Sequence, residues 1–162
     1  MCRIPRFSLL TLSVVAIALT GCAPAPYVVP KGQEGRQTAY FEEFPAQLFD
    51  VAEQVCDEPS ETLTKRSATE LECESLPTPE AAAALILQFD GDIQRLPTLV
   101  NTLQATPQGD GYLVRAEYFF RVPQLGKDTI VVRIPQRSAD RAIQRIFRMA
   151  GGALTDRPEG AL

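Results

Sequence analysis

The period of the apolar positions changes several times along the chain, and each change marks an element. Phe41, Phe44, Leu48, Val51, Ala52 and Val55 recur mostly three or four residues apart, which places them on one face of a helix. Pro45 suits the first turn of such a helix, where its missing N–H would find no partner in any case. A helix is therefore predicted over residues 45–56, ending at Cys56. Beyond it the period falls to two. In "TLTKRSATELECES", Leu71 and Cys73 fall on one side and Glu70, Glu72 and Glu74 on the other, which predicts a strand paired with the segment near Leu63. Acids alternating in this way read as the solvated face of that strand.

"TPEAAAALILQFDG" mixes two signals: Thr78 and Pro79 form a good helix start, yet "ALILQF" has the unbroken apolar character of a buried strand. A short helical turn feeding a strand at 84–89 reconciles them. Further on, "TLVNTLQA" and "YLVRAEYFFRV" flank "TPQGDG", whose Gly109, Asp110 and Gly111 favour a hairpin reversal. "DTIVVRI" supplies another strand, bounded by Gly126 and Pro135. Helical spacing returns in "SADRAIQRIFRMAGG", where Ala139, Ala142, Ile143, Ile146, Phe147 and Ala150 form one apolar stripe. Ser138 is placed as its N-cap and Gly151 as its stop. The sum is an α+β fold: a small antiparallel sheet of about four to six strands packed against an N-terminal and a C-terminal helix.

The start of the chain has a pattern of its own. "MCRIPR" carries Arg3 and Arg6 and no acid, and Phe7 to Leu19 contain no charge, the layout of a secretory signal. An apolar run of that length is short of the ~20 residues a spanning helix needs. It ends in Leu19-Thr20-Gly21-Cys22, which resembles the lipobox of bacterial lipoproteins at all four positions. The resemblance implies that the Cys22 thiol is alkylated with diacylglycerol, that the chain is cut before it, and that the new amino terminus is acylated, palmitate being a typical chain. Two or three acyl chains anchor stably, whereas one binds marginally. Ala23 follows the cysteine, and the family's sorting rule then points to the periplasmic face of the outer membrane, with inner-membrane anchoring as the alternative.

The domain organisation follows: residues 1–21 a cleaved signal, 22–39 a lipidated N-terminus and tether rich in Pro and Gly, 40–152 a single α+β periplasmic domain, and 153–162 a disordered tail. Of the four cysteines, Cys2 leaves with the signal and Cys22 is lipidated, so Cys56 and Cys73 remain in an oxidising compartment and are predicted to form a disulfide. Closing that loop contributes on the order of 3 kcal/mol.

Composition narrows the chemistry. With no histidine in the sequence, Ser-His-Asp and Cys-His sites are excluded, and neither a zinc ligand set nor a phosphate loop is present. A Ser-Lys pair has only Lys31, Lys65 and Lys127 to draw on. "DGD" at Asp90 to Asp92 lacks the acidic spacing and closing Glu of a calcium loop. No cofactor and no metal are expected, and nucleic acid is not an expected partner. Charge is divided along the chain: residues 40–92 hold 13 acids and 2 bases, residues 93–162 hold 6 acids and 10 bases. Arg141, Arg145 and Arg148, with Arg137 just before them, line the side of the last helix opposite its apolar stripe. They read either as a solvated helix face or as a docking patch for an acidic partner or anionic lipid. The expectation is a lipid-anchored envelope lipoprotein, membrane-bound through Cys22, acting as a non-catalytic binding, adaptor or envelope-assembly component on an envelope protein partner. The alternative is a small cell-wall or glycan hydrolase using carboxylates.

Overall fold

The computed structural model of the chain describes residues 34–155. Leu19, Thr20, Gly21 and Cys22 lie outside the described residues, as do the signal segment and the first part of the tether. The elements run β1 (Arg36–Phe41), α1 (Ala46–Val55), β2 (Thr62–Ser67), β3 (Glu70–Ser75), α2 (Pro79–Gln88), β4 (Thr98–Gln108), β5 (Gly111–Val122), β6 (Ile130–Val132), α3 (Arg137–Met149) and β7 (Ala153–Leu154). The seven strands form one open antiparallel sheet in the order β2-β3-β4-β5-β1-β7. β6 pairs with β5 on the edge that β1 leaves free: β1 covers Tyr112 to Glu117, and β6 covers Phe120 to Val122. The fold class is α+β, as the sequence predicts.

Strand alternation decides which side of the sheet is apolar. Along β5, Tyr112, Val114, Ala116, Tyr118, Phe120 and Val122 share one face, and the register brings Leu71 of β3, Leu103 of β4, and Ala39 and Phe41 of β1 onto it. All three helices pack there. Leu48 and Phe49 of α1 and Phe147 of α3 join Phe41, Val114 and Leu103 in one cluster, while Leu85 of α2 joins Phe120, Val122 and Val132 in a second. Phe147 is 1% exposed and meets Phe41 edge-on at 6.0 Å. Burying such a ring contributes about 1.5–3 kcal/mol. The β4–β5 hairpin turns at Gly109 and Asp110, with Gln108 opposite Gly111, where the sequence places it.

Three expectations are corrected. Residues 79–88 form one helix, not a turn feeding a strand at 84–89: Thr78 Oγ1 accepts the Ala81 N–H at 3.3 Å, Pro79 opens the first turn, and only Ala82 and Leu85 are buried. The alanine run favours helix, and of the rest of the apolar stretch Leu87 is exposed while Phe89 packs, half-buried, against the second cluster. The last helix begins at Arg137 with Gln136 as its cap residue, so Ser138 lies inside the first turn. The Gln136 N–H is taken by the Tyr118 hydroxyl at 2.9 Å instead. The domain also extends past both expected limits. Residues 36–39, read as tether, lie in β1, and residues 153–154, read as tail, form β7 against Ala39 and Tyr40. With these edge strands the sheet reaches seven strands, above the expected four to six.

Candidate functional site

α1 and α3 lie side by side on the apolar face without closing over it. Between them runs a groove of about 270 Å³, with Leu71, Leu103 and Ala116 on its floor, Val51 and Val55 of α1 on one wall, and Ile146 of α3 on the other. Val51, Val55 and Ile146 are exposed, so the walls offer apolar surface to whatever enters. Glu61 and Glu117 are the acidic residues among its lining, Glu117 from a strand position whose side chain belongs to the opposite face. The volume lies near the lower end of the ~300–1,000 Å³ of small-molecule sites. Such a site can take up an apolar side chain or hydrocarbon segment by excluding water; it offers little to polarise a bond.

The groove's outer end is built by the cysteine pair. Cys56 caps α1, Cys73 sits on the apolar face of β3, and their sulfurs stand at disulfide distance with Cα atoms 6.0 Å apart. Leu63 pairs with Cys73 across the β2–β3 hairpin, in the register the alternation predicts. Glu61 also comes near both sulfurs, but sulfurs joined to one another have no thiolate to offer a metal.

The opposite face of the sheet is charged. Arg36, Arg115, Glu117 and Arg121 share it with Glu70, Glu72 and Glu74. Glu117 receives Arg36 at 2.8 Å and Arg133 at 2.7 Å. Arg121 pairs with Glu72 at 3.0 Å and with Glu74, and Arg66 adds a contact to Glu72 at 3.3 Å. The Phe119 ring lies between the Arg133 and Arg121 guanidinium groups, 4.9 and 5.6 Å from its centroid. Burial alone would raise the Glu72 carboxyl, but the hydrogen bonds and charges of Arg121 and Arg66 outweigh it and hold the group below its ordinary value. Arg115 is pushed below its ordinary value by burial and by the Arg36 charge, against the pull of Glu117. Arg66 also reaches Glu70 at 3.7 Å, so all three acids read as a solvated face are partners in ion pairs, and Glu72 is buried.

Arg137, Arg141, Arg145 and Arg148 are all exposed. None of them lines the groove, so the arginine side and the apolar side of α3 are separate surfaces. Asp90 to Asp92 form a turn: Asp90 takes a left-handed φ of 52°, and the Asp92 carboxylate accepts the Gln94 N–H at 2.9 Å and the Arg95 Nε at 2.8 Å. The sequence does not reveal the groove, because Val51 and Val55 follow the helical period of core residues. The ion-pair array left a readable trace, the two-residue spacing of Arg115, Glu117, Phe119 and Arg121. The chain matches no protein-family model and no curated protein sequence.

Proposed function

We propose that this chain is a lipid-anchored cell-envelope lipoprotein, held through Cys22 at the periplasmic face of the outer membrane, that works as a non-catalytic binding or adaptor component. The anchor half of the reading rests on the Leu19-Thr20-Gly21-Cys22 box behind an uncharged run. The binding half rests on one observation, the apolar groove between α1 and α3 whose walls carry exposed Val51, Val55 and Ile146. Exposed apolar surface at a concave site favours capture of a partner group over transformation of a polar one. The hydrolase alternative draws no support from the strand acids: Glu72 and Glu74 share Arg121, and the lowered Glu72 carboxyl is the reverse of what a general acid needs.

Photo-crosslinking residues placed at Val55 and Ile146 in intact cells, followed by mass spectrometry, test the binding half. The expected result is a discrete adduct from both groove positions and none from exposed Thr106 on β4. The same adducts from Thr106, or none at the groove, overturn it. For the anchor, Cys22→Ser should abolish incorporation of labelled palmitate and leave an uncleaved or soluble chain. Equal labelling of variant and parent overturns the lipobox reading.

A further inference from the structure

The end of the sheet where β5 finishes gathers apolar side chains that the core does not use. Leu87 is 82% exposed, Ile93 73% and Leu125 75%, with Leu96 exposed beside them. They belong to two segments bridged to each other, Gly91 pairing with Gln124 and the Asp92 N–H donating to the Pro123 carbonyl at 2.8 Å. Among the other described residues, Val51, Val55 and Ile146 line the groove, Met149 ends α3, and Leu76, Ile130, Val131 and Ile134 are exposed on other segments; here Leu87 lies in the last turn of α2 and the other three sit on loops.

The polar groups of these loops are turned toward one another. The Gln124 side chain donates to the Phe89 carbonyl at 2.7 Å, and Arg95 spans the Asp92 carboxylate and the Gln124 carbonyl at 2.8 and 2.6 Å. Gly91 N–H returns to the Ile86 carbonyl at 2.9 Å, and Asp92 is 8% exposed. Each polar group satisfied in this way lowers the cost of bringing that part of the loops to a hydrocarbon boundary, where water withdraws. Lys127 and Arg95 lie alongside, balanced by Asp90 and Asp128, which suits the interfacial zone more than the bilayer centre.

The path of the chain names the occupant. Gly35 accepts the Tyr118 N–H at 2.8 Å, in the half of β5 that leads to these loops, and β1 then runs antiparallel to β5 toward the opposite end. The described chain therefore begins on the side of the apolar loops. Twelve residues carry it from Cys22 to Glu34, a reach of up to about 40 Å when extended, and β5 needs only about 23 Å to run from Tyr118 to Leu125. We propose that the loop end carrying Leu87, Ile93, Leu96 and Leu125 seats itself in the surface of a lipid bilayer, so that the domain is held at a fixed orientation. The choice of a bilayer over a protein rests on the anchor reading of Cys22.

The chain contains no tryptophan, so one introduced tryptophan is a unique depth probe. Leu125→Trp, Ile93→Trp and Met149→Trp replace exposed residues, the last at the far end of α3. The full chain, purified from membranes, is reconstituted into phosphatidylethanolamine and phosphatidylglycerol vesicles with brominated acyl chains and assayed in parallel for palmitate label. Quenching of at least about twofold at Leu125→Trp and Ile93→Trp, with little at Met149→Trp, is the expected result for interfacial seating. Label present with all three probes alike overturns the proposal and leaves the anchor standing. Label absent with the loop probes still selectively quenched removes the anchor and leaves the loops as an independent membrane contact. Neither label nor selective quenching overturns both.

Discussion

Tyr118 stands where β5, the start of β1 and the first turn of α3 meet. Its hydroxyl donates to Asp140 Oδ1 at 3.0 Å and accepts the Gln136 N–H at 2.9 Å. Burial pushes the phenol up; the contact with the Gln136 backbone opposes this and the Asp140 carboxylate adds to it, giving a value of about 12. The folded value thus exceeds the unfolded one near 10.0. The stability this implies is complete below pH 10 and drains away as pH rises toward 12, on the order of 2 kcal/mol in all. Tyr118→Phe should flatten that alkaline slope and, at neutral pH, cost about 1–2 kcal/mol through the lost hydrogen bonds; denaturation midpoints across the alkaline range check both. Gly35 is tied to the same place. Its φ is 70°, and a Cβ there would overlap the Tyr118 carbonyl. Gly35→Ala should lower stability by at least about 2 kcal/mol, measured by thermal unfolding. Neither role is legible in the sequence, where Gly35 reads as tether and Ser138 as the cap that Tyr118 helps replace.

Among the elements, the strongly patterned ones were legible and the edges were not. The helix over Ala46–Val55, the β4–β5 hairpin and the β2–β3 register follow directly from period and turn residues, because each is decided by neighbours in the chain. β1 and β7 are decided by partners far away: Arg36 meets Glu117, and Thr38 Oγ1 donates to the Thr155 carbonyl at 2.8 Å. α2 misleads for a different reason, since Leu87 is apolar and exposed, which blurs the amphipathic period and imitates a buried strand. The cysteine pair sits between these classes: compartment and count predict it, and its sulfurs lie at disulfide distance. It joins the end of α1 to a hairpin whose outer strand β2 is mostly exposed. Asp57, Glu58, Glu61, Glu70 and Glu72 crowd the loop it closes. Replacing both cysteines by Ala should lower stability by about 2–5 kcal/mol. The comparison belongs on a chain that keeps β1, beginning at Ala23, with reductant added in one arm; equal midpoints in both arms would show that the thiols are free.

At the scale of the whole molecule the two faces of the sheet divide the work. One face is covered by three helices, with the groove opening between α1 and α3, while the other is held by charge. Arg66 of β2, Glu72 and Glu74 of β3 and Arg121 of β5 tie strands together across β4, and Arg36, Glu117 and Arg133 do the same for β1, β5 and the segment after β6. Single exposed pairs of this kind contribute little. Glu72 is different because it is 7% exposed and shared by two arginines. Its folded carboxyl lies below the ordinary value of 4.5. The sign follows from that depression: the stability it contributes is complete above the unfolded value and is lost as pH falls through the folded one, where protonation deprives Arg121 and Arg66 of their partner. Glu72→Gln should therefore be destabilised at pH 7 by about 1–3 kcal/mol, the range for a hydrogen bond to a charged group. As acid is added, the gap between the variant and the parent should close below pH 4.5, because the parent then loses the same charge. Urea midpoints for both chains from pH 7 down to pH 3 measure the gap, and a gap that stays constant across that range would place the stabilising charge elsewhere.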